Sequence, residues 1–70
     1  MNPLKMINLL KMIQLTYLFR TKKYGKWEKG KLEVSPDIPK SEYRNSIIEY
    51  LESEYPESNR IEVQSIERIN

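Results

Sequence analysis

The chain contains no cysteine, no histidine and no alanine, and only two of its 70 residues are glycine. Without cysteine there is neither a disulfide framework nor a thiolate metal site. A secreted domain of this length ordinarily needs such staples, so a reducing cytoplasm is the expected location. The absence of both histidine and cysteine removes the usual general base near neutral pH and the strong thiol nucleophile. Ser-His-Asp and Cys-His triads are excluded, as are zinc sites built on imidazole or thiolate. Gly25 and Gly30 stand apart, so no glycine-rich phosphate loop exists, and none of the serines lies in a nucleophile elbow. A long apolar run is missing too. Leu4 to Leu15 is interrupted by Lys5, Asn8, Lys11 and Gln14, whereas a membrane span needs about 20 apolar residues. The same interruptions, with no small-residue cleavage site, argue against a signal peptide. No cofactor and no membrane association are expected. The lack of alanine beside abundant lysine, isoleucine, asparagine and glutamate fits an AT-rich coding sequence.

The chain is long enough for one domain, near the lower limit of what folds alone. Self-association is a common remedy for so small a core. Residues 1–11 read either as an extension or as a short helix with Met6, Leu9, Leu10 and Ile13 on one face, and residues 12–70 as the domain itself. From Ile13 the apolar period becomes two: Ile13, Leu15, Tyr17 and Phe19 alternate with Gln14, Thr16, Leu18 and Arg20, as in a half-buried strand. Lys22 to Lys26 form a turn, in which Gly25 is able to take the positive φ that a tight turn requires. A second strand follows from about Trp27 to Val34, with Leu32 and Val34 on its apolar side. Gly30 inside it marks a bulge or a close backbone approach. Pro36 and Pro39 end the ladder, and a helix is expected to begin near Pro39 to Ser41, with Ser41 or Asp37 as its cap. Tyr43, Ile47, Leu51 and Tyr55, with Ile48 beside them, make its apolar stripe, while Glu42, Asn45, Glu49 and Glu52 line the opposite face. Pro56 stops the helix. In a last strand, Arg60 to Ile69, Ile61 and Val63 alternate but Ile66 falls out of phase, which predicts a bulge near Gln64–Ser65.

The expected fold is therefore α+β, in the order ββαβ. It is a three-stranded, mainly antiparallel sheet of strand order 2-1-3 with one helix on one face. The other face stays open and carries Thr16, Leu18 and Trp27.

Carboxylates are plentiful, but a glycosidase-type pair or a Mg²⁺ site needs two that converge in a cleft. A domain this small has little room for a substrate pocket of about 300 Å³ or more, so an enzyme is not expected. The charge distribution is more informative. Residues 20–32 hold Arg20, Lys22, Lys23, Lys26, Lys29 and Lys31 against Glu28 alone, whereas residues 33–70 hold nine acids against four bases. A basic hairpin thus sits on an acidic body. Lysines interleaved with Tyr24 and Trp27 suit a nucleic-acid contact, where lysines neutralise phosphates and aromatics stack on bases. The same composition suits a protein interface, where aromatic and arginine side chains dominate the energetic centre. It also suits a solvated hairpin with Trp27 packed across the strands. The candidate contact residues are Arg20, Lys22, Lys23, Tyr24, Lys26, Trp27 and Lys29. A protein partner is favoured over nucleic acid, and a homodimer formed through the open face is a third expectation.

The segments YLFRTKKYGKWEKGKLEV, PKSEYRNSIIEYLESEYP and RIEVQSIERI together resemble small uncharacterised ββαβ accessory proteins encoded by phages and mobile elements of AT-rich bacteria. The resemblance spans residues 12–70 in pattern and composition and has no diagnostic motif, so it transfers no functional residue. It implies a class of role: a phage-type inhibitor or modulator of a host or defence protein, such as a nuclease or polymerase.

Overall fold

The computed structural model describes residues 12–69, so the expectation for residues 1–11 lies outside the described part. Its elements are β1 (Ile13–Arg20), β2 (Glu28–Val34), a 3₁₀ turn (Lys40–Glu42), α1 (Tyr43–Glu54) and β3 (Glu62–Arg68). The strands form one sheet in the order β2-β1-β3, and both pairings are antiparallel. This is the α+β, ββαβ architecture that the periodicities predict.

β1 is central because it is the most regular amphipathic strand. Ile13, Leu15, Tyr17 and Phe19 are all buried, and the residues between them are not. The pleat sends these four to the helix-facing side. There they meet Tyr43, Ile47 and Leu51 of α1, together with Val34 and Val63. Leu32, Ile38, Ile48, Ile61 and Ile66 pack around the rim. A fully buried Leu or Ile contributes ~1.5–3 kcal/mol, so Leu15, Ile47 and Leu51 carry much of this small core.

The bulge lies where the phase slip put it. β1 pairs with β3 as Leu18↔Gln64 on one side and Thr16↔Glu67 on the other, so one extra residue is accommodated between them. Ser65 absorbs it with φ 57°. The insertion explains how Val63 and Ile66, three residues apart, both reach the core, since an unbroken strand would point one of them outward.

Gly30 proves to be a close approach. It faces Tyr17 in the β1–β2 register, and a Cβ placed on it would lie 2.5 Å from the Tyr17 ring. The tyrosine ring lies across the glycine and fills the space a side chain would take.

Three local expectations are corrected. Gly25 does not adopt a positive φ. Its N–H donates to the Lys22 carbonyl at 3.0 Å, which puts it fourth in a turn whose central residues keep negative φ, a place that favours glycine. Neither Ser41 nor Asp37 caps the helix. Pro39 and Glu42 flank the 3₁₀ turn and α1, and neither makes a side-chain cap bond. The Glu42 N–H is satisfied instead by the Pro39 carbonyl at 2.9 Å, and Asp37 donates its own N–H to Ser35 Oγ. Tyr55, expected in the core, is 40% exposed because it falls just past the last turn of α1, although its ring still packs on Phe19 at 5.9 Å between centroids.

Candidate functional site

The hairpin that joins β1 to β2 holds all seven candidate residues, and the structure divides them into two groups. At its base, Arg20 closes β1 directly opposite Glu62. Its Nε and Nη2 donate to the same Glu62 oxygen at 3.1 and 2.9 Å, while its Cζ sits 4.5 Å from the centre of the Trp27 ring. The two side chains of this ion pair are 23% and 33% exposed, so water screens it and it contributes ~1 kcal/mol at most. Stacking on Trp27 adds ~0.5–1 kcal/mol of cation–π attraction. The next residue is held as well, because Ser58 Oγ donates to the Thr21 carbonyl at 2.8 Å. Arg20 and half-buried Trp27 are thus committed to each other and to β3.

Beyond this anchored base, the tip is free. Lys22, Lys23, Tyr24 and Lys26 are exposed, and Tyr24 is 88% exposed, far more than any other large apolar residue described. The Gly25–Lys22 turn bond sets Lys23 and Tyr24 at the apex, where Lys23 Nζ lies 5.4 Å from the Tyr24 ring centre. No carboxylate lies between Arg20 and Trp27. Lys29 is set apart from the tip: it stands in β2 opposite Leu18, on the open face of the sheet.

That open face is striped. The register aligns Lys29, Lys31 and Glu33 of β2 with Leu18, Thr16 and Gln14 of β1, and then with Gln64 and Glu67 of β3. Basic side chains occupy most of one edge and acidic ones the other, with half-buried Thr16 and Leu18 between them. Trp27 precedes the first residue of β2 and packs against Arg20.

Contrary to the expectation that so small a domain has little room for a pocket of this size, an open cleft of about 550 Å³ adjoins the hairpin base and is lined by residues that include Lys22, Glu54, Tyr55 and Glu57. A smaller cavity of about 130 Å³ lies among Tyr17, Gly30, Tyr50 and Tyr55. Burial there pushes the Tyr17 hydroxyl above its ordinary pKa, and Tyr50 and Tyr55 push it the same way. Among the described residues, no three acidic side chains come together in a way that would hold a metal ion. No helix among them is long and apolar enough to cross a membrane.

Sequence reasoning found the basic tip but missed the engagement of Arg20. Its partner Glu62 is 42 residues away, and only the pairing of β1 with β3 brings the two together. Comparison of the chain with protein-family models, curated proteins and solved structures finds no match.

Proposed function

We propose that this chain is a non-enzymatic binding protein whose contact element is the tip of the β1–β2 hairpin, and that its partner is a protein presenting an acidic surface. The observation that carries the reading is Tyr24, almost wholly in water at the apex of a turn and accompanied by Lys22, Lys23 and Lys26 with no acid among them. A single exposed aromatic is ordinary on a protein surface. Here it crowns a loop whose base is fixed by the Arg20–Glu62 and Thr21–Ser58 contacts. A rigid base lowers the entropy lost on docking, and tyrosine supplies large contact area with few rotatable bonds. Lysines around it steer an acidic partner and quicken association.

Nucleic acid is the second reading, favoured by the free face of Tyr24, on which a base can stack. Charge weighs against it. Arg20 is spent on Glu62, residues 33–70 hold an excess of acids, and three lysines at the tip would neutralise only about three phosphates. The resemblance to phage accessory proteins supports an inhibitor or modulator acting on a host or defence protein in the cytoplasm.

The test is affinity capture from the native host after nuclease treatment, with wild type and a Lys22→Glu, Lys23→Glu, Lys26→Glu variant side by side. The reading expects a nuclease-resistant protein that the variant fails to retain. Capture that disappears with nuclease supports the second reading, and equal capture by both proteins removes the tip from either.

A further inference from the structure

The outer edge of β2 has no strand beside it among the described residues. The direction of its free backbone groups follows from a bond at the other side of the sheet. The Ile69 N–H donates to the Gln14 carbonyl at 3.0 Å, so Gln14 turns its backbone toward β3. Backbone direction alternates along a strand within an antiparallel sheet. Ile13, Leu15, Tyr17 and Phe19 therefore bond to β2, through Val34, Leu32, Gly30 and Glu28. The N–H and C=O groups of Lys29, Lys31 and Glu33 are left pointing outward.

We infer that this edge is a self-pairing surface: two copies of the chain join antiparallel through β2, centred on Leu32, into one continuous six-stranded sheet. Lysines along an edge ordinarily deter such pairing, so the register decides. A two-fold axis through the sheet must pass between a residue and its own copy, which limits the choices. Centring on Lys31 sets that lysine against itself, and centring on Gly30 sets Lys29 against Lys31. Centring on Glu33 opposes two carboxylates. Centring on Lys31 does also bring Lys29 to Glu33, but only the Leu32 centre opposes unlike charges without setting any like-charged pair face to face: Lys31 meets Glu33 of the second copy and Glu33 meets its Lys31, both on the open face. On the helix-facing side, half-buried Leu32 meets its own copy and Gly30 meets Val34. Because Lys31 and Glu33 also carry the outward backbone groups, these two symmetric pairs supply about four backbone hydrogen bonds. β2 is free of bulges and pairs with β1 in unbroken register, whereas the edge formed by β3 is interrupted at Ser65. The two-fold arrangement points the two Tyr24 tips to opposite ends of the assembly and leaves both accessible.

Sedimentation equilibrium of the full chain from micromolar to millimolar concentration tests this. Wild type is expected to show a reversible monomer–dimer equilibrium. Lys31→Glu and Glu33→Lys should each weaken it at least about tenfold, because one substitution acts at both symmetric sites, and the double swap should restore it. Lys31→Pro should abolish dimerisation with the monomer still folded by circular dichroism, since the N–H it removes faces away from β1. A wild type that stays monomeric throughout overturns the inference. So does a dimer indifferent to both charge reversals, or one that the double swap fails to restore. A dimer lost in Leu18→Glu but kept in Lys31→Glu also overturns it, and assigns association to the open face.

Discussion

Gly30→Ala adds a single carbon at the point where β2 passes beneath the Tyr17 ring. The new Cβ would lie 2.5 Å from one ring carbon, 2.6 Å from the next and 2.8 Å from the hydroxyl oxygen, distances that packed atoms do not tolerate. The ring cannot swing aside freely. Tyr17 is 2% exposed and its ring stands 5.9 Å from that of Phe19, with α1 on the far side. Overpacking of this kind costs ~1–3 kcal/mol. Replacing glycine also stiffens the unfolded chain, which stabilises the fold by ~0.4–1 kcal/mol and offsets part of the cost. The net expectation is a loss of about 1–2 kcal/mol, or roughly 4–16 °C in Tm for a domain of this size. Thermal and urea denaturation followed by circular dichroism will measure it. The double-mutant cycle with Tyr17→Leu is the sharper assay, because with the ring removed Gly30→Ala should become neutral or stabilising. An alanine variant as stable as wild type in the Tyr17 background would refute the account of how β1 and β2 fit together.

Other outcomes follow from the same structure. Ile47→Ala or Leu51→Ala, at fully buried positions on α1, should cost ~2–5 kcal/mol by chemical denaturation. Exposed Glu49→Ala should change stability by no more than ~0.5 kcal/mol. For Tyr17 the sign of the pH effect is fixed. Burial raises its folded pKa above the ordinary 10.0, so the fold favours the neutral phenol, and the associated stability is complete below pH ~10 and is lost as pH rises beyond it. Alkaline denaturation should therefore move to higher pH in Tyr17→Phe, and an unchanged alkaline limb would contradict the burial of the hydroxyl. Glu62→Gln frees Arg20 from its charged partner. Trp27 fluorescence should change as the guanidinium loses its fixed place over the ring, while stability falls by only ~1 kcal/mol.

Legibility in the sequence follows the range of the interactions. β1 was readable because its alternation of four buried residues is a local signal, and the bulge was readable because Val63 and Ile66 cannot share a face without one. The helix stripe at Tyr43, Ile47 and Leu51 was equally plain, yet the same spacing overshot at Tyr55, where the helix has already ended. Caps failed because serine and aspartate suit several local bonds. Ser35 took the N–H of Asp37, and the helix began through a 3₁₀ turn that needs no side-chain cap. The engagement of Arg20 was hidden because nothing nearby in the sequence announces Glu62. The open edge of β2 was hidden for a related reason, since which backbone groups are spare depends on the register of the whole sheet.

The central claim is that Tyr24 and its lysines, rather than the open sheet face, make the contact with a partner. Titration calorimetry of the captured partner against wild type, Tyr24→Ala and Leu18→Ser, at low and high salt, tests it most directly. A buried aromatic anchor is worth ~2 kcal/mol or more, so Tyr24→Ala should weaken binding about thirtyfold or more. Leu18→Ser should bind like wild type, and added salt should weaken binding mainly by slowing association. Wild-type affinity in Tyr24→Ala, with binding lost in Leu18→Ser, would contradict the claim and move the contact to the open face of the sheet.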